Sequence, residues 1–173
     1  MDVVVRSAPA ATPAPGAAAA KPKPLADADK KFIKDASEAI LLEQKYLALV
    51  EDNKTATFSE ETKRATGPMN GDLKRIWTAL TTIATAKGAV VAQEIGKTDQ
   101  SKIDRLGKEK PDKFEKEFFK DLAKETKKTA KVFDTAKTVV DPDLKKFTSD
   151  WTVTIKTHDS ATDTAEKQLA KKK

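Results

Sequence analysis

The sequence predicts an all-α protein, an antiparallel four-helix bundle built from two helix hairpins with a longer middle connection. Apolar residues recur at spacings of three and four along four long segments, which is the period of an amphipathic helix. Charged residues make up 35% of the 173 residues and glycines number only six, a composition typical of such helices. Residues 31–74 also match residues 113–156 after a shift of 82 positions, which indicates an internal repeat of one hairpin.

The first helix is predicted from Asp29 to Glu51, with Asp27 as its N-cap. Its apolar stripe opens at Phe32, and Glu43 is the residue that interrupts it. A charged group on a core face costs free energy unless it is paired. Glu43 is therefore the first candidate for chemistry.

The second helix is predicted to begin at the capping-box sequence Thr57-Phe58-Ser59-Glu60. Gly67-Pro68 then predicts a kink or break, because proline lacks an amide donor and clashes with the preceding turn. The apolar stripe resumes at Leu73, and the helix is expected to end at Gly88.

The longest connection is predicted from Ala89 to Pro111, with a short helical turn at 101–106. The third helix is predicted over residues 112–138, where Glu125 follows Phe114 as Glu43 follows Phe32. Asp141-Pro142 opens the fourth helix, because proline is favoured at a first helical position. The approximate two-fold of the repeat is expected to bring Glu43 and Glu125 towards one another.

The predicted domain organisation is an Ala/Pro-rich tether over residues 1–26, one bundle domain over 27–169 and a frayed basic end at 170–173. No apolar run is long enough to span a membrane. The absence of cysteine excludes disulfides and thiolate metal sites. Residues 1–5 lack the features of a signal peptide, so an export signal is expected to have been removed, with a periplasmic or envelope location.

Core carboxylates and a histidine supply the ligands that iron, manganese or zinc prefer. The candidate metal ligands are Glu43, Asp72, Glu125 and His158. The alternative is a structural polar network in which His158, Tyr46 or a lysine satisfies the two glutamates. No phosphate-binding loop, activated serine or second catalytic group accompanies them, so no catalytic residue and no cofactor is predicted.

Five short motifs resemble a family of bacterial proteins. They are Phe32-x3-Ala36-x6-Glu43, Met69-x2-Asp72, Leu80-x2-Ile83-Ala84, Phe114-Glu115-x2-Phe118 and Ile155-x2-His158. Together they are similar to the ferritin-like domain of unknown function found in exported, often periplasmic or outer-membrane proteins. The resemblance covers residues 27–169 and implies a ferritin-like bundle in the cell envelope.

The same comparison implies that most of the family's histidines are lost. Family members commonly carry an Asp-His pair on helix two, where Asp72 is followed here by Leu73. Their helix-three histidine falls on Thr126, and His158 is the histidine that remains. The family has no established activity to transfer.

The leading hypothesis is a non-enzymatic, exported bundle with a structural, stress-related or interaction role in the envelope and an unknown protein partner. The first alternative is a metal-binding ferritin-like protein that uses the four residues above. The second is weak binding to nucleic acid or an anionic surface, since the net charge is +6. The lysines are spread along the chain rather than clustered, which argues against nucleic acid.

Overall fold

The computed structural model describes residues 24–53 and 57–172, and this part of the chain is helical with no strand. Its elements are α1 (Asp27–Glu51), α2 (Glu60–Ala86), α3 (Lys97–Gly107), α4 (Pro111–Asp134), a 3₁₀ turn (Thr135–Thr138) and α5 (Pro142–Lys171). The all-α prediction is confirmed. The predicted tether falls mainly on residues 1–23, which lie outside the described residues.

Each of the four long helices packs against two of the others. Helix α1 packs against α2 and α4, and α5 packs against the same two helices. The short helix α3 contacts α1 and α4. The apolar stripes of the long helices therefore share one core, and α3 covers part of the α1 and α4 side. No helix among the described residues has the length and hydropathy needed to cross a membrane.

The element boundaries follow the internal repeat. Helix α2 begins at Glu60 and α5 begins at Pro142, which is the predicted offset of 82 positions. Helix α1 ends at Glu51 and α4 ends at Asp134, within one residue of the same offset. The repeat therefore relates α1 to α4 and α2 to α5.

Two aromatic clusters fill the core. In the first, the Phe32 ring lies 5.7 Å from that of Phe133 and 6.3 Å from that of Phe147. In the second, the Tyr46 and Phe118 rings lie 6.3 Å apart. Along α1, the buried Glu43 lies between the buried rings of Phe32 and Tyr46, so each aromatic cluster lies on one side of the carboxylate along the helix.

The predicted helix caps are partly wrong. Helix α2 is capped by Ser59, whose Oγ accepts a hydrogen bond from the Thr62 amide at 3.3 Å, and Thr57 lies two residues upstream of that cap. The Ser59 amide instead donates to the Glu115 carboxylate at 2.6 Å, so an acid from α4 replaces the reciprocal glutamate of a capping box. Asp27 lies inside α1 and not at its N-cap.

Of the kink or break predicted at Gly67-Pro68, the break is wrong, because α2 is one continuous helix with Pro68 inside it. Thr66, Met69 and Leu73 are buried on both sides of the proline. Burial of this stripe stabilises the helix locally, and it outweighs the roughly 3 kcal/mol that an interior proline costs.

Three further boundaries differ from the prediction. Helix α3 spans Lys97–Gly107, so the short turn expected in the middle connection is a three-turn helix. Helix α4 ends at Asp134, and the last residues of the predicted third helix form the 3₁₀ turn. At the other end of the chain, α5 continues to Lys171 and Lys172 pairs with Glu61 at 2.9 Å. Helix α5 therefore extends two residues beyond residue 169, the predicted end of the bundle domain.

Candidate functional site

Glu43 lies in the core as predicted, with 1% of its surface exposed. The Thr129 hydroxyl on α4 is hydrogen-bonded to one carboxyl oxygen of Glu43, and the other oxygen, Oε2, has no hydrogen-bond partner among the described residues. Burial, helped by the negative charges of Glu125 and Asp159, raises the pKa of Glu43 from 4.5 to about 8, although a hydrogen bond donated by Thr129 favours the ionised form. Glu43 is therefore mainly protonated at neutral pH.

The hydrogen bonds of Thr129 agree with a protonated Glu43. The Thr129 oxygen contacts Glu43 and also lies 3.1 Å from the backbone oxygen of Glu125. A hydroxyl has one proton to donate, so it cannot donate to both acceptors at once. Both bonds form together when the Glu43 carboxyl donates to Thr129 and Thr129 donates to the Glu125 carbonyl.

Glu125 has a different environment, although it also lies on the core side of α4. Its two carboxylate oxygens each accept a hydrogen bond from the Lys128 ammonium at 2.9 Å, and the Lys102 nitrogen lies 3.9 Å away. The predicted lysine partner is thus confirmed for Glu125. The two glutamates are near enough for the charge of Glu125 to raise the pKa of Glu43.

Asp72 and His158 form a second pair, between α2 and α5. The His158 Nε2 atom lies 3.1 Å from the Asp72 carboxylate, which Arg75 also contacts. Burial raises the pKa of Asp72, but the bonds from His158 and Arg75 together outweigh it and hold that pKa below its ordinary value. Burial lowers the pKa of His158, and Asp72 offsets this only in part.

The protonation states fix the direction of this hydrogen bond. An ionised Asp72 can only accept, so neutral His158 carries its proton on Nε2 and donates it to Asp72. The Nδ1 atom then carries no proton and can only accept a hydrogen bond. It is buried and has no partner among the described residues.

The structure thus brings the four predicted ligands together as two pairs and not as one cluster. Among the described residues, no three His, Asp or Glu side chains are grouped so that they could hold a metal ion. The atoms free to accept a ligand are Oε2 of Glu43 and Nδ1 of His158, one in each pair. A groove of about 400 Å³ reaches Glu125 and Thr129 from the surface.

Two polar contacts in the core were not predicted from the sequence. The hydroxyls of Thr126 and Thr162 lie 2.7 Å apart and join α4 to α5. Asp29, with 1% of its surface exposed, accepts the backbone amides of Val140 and Asp141 at 2.8 and 3.3 Å. The available signal for Asp29 was its position three residues before Phe32, on the stripe of α1.

A second opening, larger than the groove at Glu125, lies at the end of α1, where α3 and the start of α4 meet it. We call it the end cleft, and its volume is about 940 Å³. Its apolar wall is formed by Ala48, Leu49, Phe58, Ile103 and Phe114. Its charged residues are Lys45, Asp52, Glu109, Asp112 and Glu115.

The end cleft was not predicted from the sequence, because its residues come from parts of the chain that are far apart in sequence. The hydropathy of each segment is ordinary for an amphipathic helix end. Only the packing of α3 against α1 and α4 brings them together. The end cleft is therefore a second candidate site, independent of the buried carboxylates.

Comparison with known proteins gives a family and no closer relative. No curated protein matches the chain, and no solved structure matches it. A family model matches residues 14–165, a range that contains α1 to α4 and most of α5. The motifs that suggested a bacterial domain of unknown function lie within this range. The chain belongs to the family described as a domain of unknown function (DUF4142).

Proposed function

We propose that this protein is a non-enzymatic, exported binding protein of the cell envelope, with a structural, stress-related or interaction role. We further propose that its long helices form an antiparallel four-helix bundle of ferritin-like form. The ring contacts support this arrangement. Phe32, near the start of α1, meets Phe133 near the end of α4, whereas Tyr46, near the end of α1, meets Phe118 near the start of α4.

The end cleft is the observation that carries the binding role. Its volume of about 940 Å³ lies within the range of ligand sites, which are mostly apolar with a few polar groups. The buried carboxylates, by contrast, face partners within the chain, such as Thr129 for Glu43 and Lys128 for Glu125. A surface opening with an apolar wall suits recognition, whereas each core carboxylate already contacts a partner within the chain.

Catalysis is tested by incubating tag-free protein with iron, manganese or zinc and either oxygen or hydrogen peroxide. We expect neither oxidant to be consumed faster than it is by the metal without protein. The matched control is the Glu43→Gln, Glu125→Gln double variant, which keeps both side-chain shapes. Metal-dependent turnover that the double variant lacks contradicts the proposal.

Export is tested separately in cells that make the protein. The supporting observation is the Ala/Pro-rich sequence before α1, which is typical of a tether between an anchor or signal and a folded domain. We expect added protease to reach the protein once the outer envelope is permeabilised and while the cytoplasmic membrane is intact. Protection until full lysis contradicts the envelope location.

Metal binding is the second candidate, and the free lone pairs of Glu43 Oε2 and His158 Nδ1 favour it. A ligand that binds only the folded state raises the melting temperature by mass action. We therefore propose a thermal-shift screen with iron, manganese and zinc. A stoichiometric shift that His158→Gln or the Glu43→Gln, Glu125→Gln variant abolishes supports a metal site, and an unchanged melting temperature with every ion rules it out.

A further inference from the structure

We propose that the end cleft binds a small organic cation with an apolar body, such as an aromatic or alkyl amine. The inference deepens the proposed function and rests on it, because it names the ligand class of the same cleft. An aromatic wall beside carboxylates that form no ion pair within the described part of the chain carries the proposal.

The wall of the cleft suits an apolar body. The rings of Phe58 and Phe114 lie 5.9 Å apart at an angle of 47°. Phe114 is buried, and Phe58 is partly buried against the core, so both rings are held in place. The ring faces also attract a nearby cation through their quadrupole.

The rim of the cleft supplies the negative charge. Asp52, Glu109 and Asp112 line the opening, and none of the three forms an ion pair with another described residue. Glu115 is occupied by the Ser59 amide, and Lys45 is the one basic residue among the described lining residues. These lining residues thus carry more acids than bases in a chain whose net charge is +6.

Helix capping does not explain all of these acids. Asp112 lies in the first turn of α4, where the helix dipole itself favours an acid. Asp52 lies at the C-cap of α1, where the dipole disfavours an acid, and the last turn of α1 contains no basic residue. Asp52 and the C-terminal carbonyl groups of α1 therefore add to the same negative potential, which a bound cation neutralises.

The shape of the cleft favours a small molecule over a long peptide. Helix α3 approaches α1 closely at Gly107, where an added Cβ atom would lie 3.5 Å from Leu49 Cδ2. Leu49 and Gly107 both line the opening. Its volume of about 940 Å³ fits one compact ligand rather than a groove of several helical turns.

The experiment compares three probes that share one apolar body. The full chain is titrated by calorimetry with 4-phenylbutylamine, 4-phenylbutanol and 4-phenylbutyrate at neutral pH and low salt. We expect the amine to bind on the order of tenfold more tightly than the alcohol, and the carboxylate more weakly than both. Added salt should reduce the difference, since the carboxylates are near the surface.

Two variants test the contribution of the acidic residues and that of the apolar wall separately. Asp52→Asn with Asp112→Asn should lower the affinity for the amine to that for the alcohol while leaving the alcohol unchanged. Ala48→Phe fills the cleft and should abolish binding of both. The matched control is Asp150→Asn, an exposed acid on α5 that pairs with Lys146 and should bind the amine as the unaltered protein does. Circular dichroism checks that each variant keeps its helix content.

Each outcome decides the proposal. Preference for the amine that the double Asn variant removes supports it. Equal binding of the three probes, absence of binding, or binding that survives Ala48→Phe overturns it. Those results do not contradict the non-enzymatic role. That role is contradicted by a different result, which is metal-dependent consumption of oxygen or hydrogen peroxide.

Discussion

Replacing Glu43 by glutamine tests the central electrostatic feature of the core. Glutamine keeps the shape of the side chain and has an amide that can donate a hydrogen bond to Thr129 as the protonated carboxyl does, but it cannot ionise. Burial raises the pKa of Glu43 from 4.5 to about 8 in the folded protein. The variant therefore removes one proton-linked contribution to stability without opening a cavity.

The sign and size of the effect follow from proton linkage. Between pH 4.5 and about 8, folded Glu43 holds a proton that the unfolded chain releases, so the free energy of unfolding falls as pH rises. The slope is about 1.4 kcal/mol per pH unit and fades above the folded pKa. Between pH 6.5 and 8, the unaltered protein should lose roughly 2 kcal/mol that Glu43→Gln retains.

The assay is urea unfolding followed by circular dichroism at several pH values in this window. The difference between variant and unaltered protein is the quantity to plot, because it cancels the titration of His158 and other shared groups. Glu38→Gln is the matched control, since Glu38 is an exposed glutamate of α1 paired loosely with Lys34 at 3.8 Å. That control should give a difference independent of pH.

The reasoning is refuted if the difference in free energy of unfolding between Glu43→Gln and the unaltered protein does not change over pH 6.5–8. That result means that Glu43 titrates near its ordinary pKa and is solvated or paired with a cation in solution. A difference that grows with pH for both Glu43→Gln and Glu38→Gln also refutes it, because the effect then comes from net charge rather than burial.

Four further predictions concern stability. Asp29→Ala removes the acceptor of two backbone amides and should cost about 1–3 kcal/mol in urea unfolding, part of which Asp29→Asn restores. Gly71→Ala should stabilise the protein by up to about 1 kcal/mol, because an added Cβ meets nothing within 4 Å in a helix. Gly88→Ala should destabilise it, because φ is +68° there, and a gain in melting temperature contradicts this. His158→Gln should lose the rise in stability with pH that the unaltered protein shows below pH 6.5, since burial lowers the histidine pKa; an unchanged pH profile argues against that shift.

Much of the fold was predictable because it depends on local signals. The apolar period of α1, the start of α5 at Asp141-Pro142 and the 82-residue offset between α2 and α5 agree with the structure. The buried positions of Glu43 and His158 follow from the same periodicity. The break that local signals allowed at Pro68 does not occur, because burial of the surrounding stripe exceeds the cost of the proline.

The sequence by itself determined that the chain is helical and which faces its helices bury, since both depend on residues within a few turns. Only the tertiary structure decided which buried groups meet. Glu43 contacts Thr129, and Asp72 contacts His158, each across 86 residues. Those pairs depend on the rotation and axial position of packed helices, which periodicity does not specify. The end cleft arises in the same way, because it exists only where α3 is held against α1 and α4.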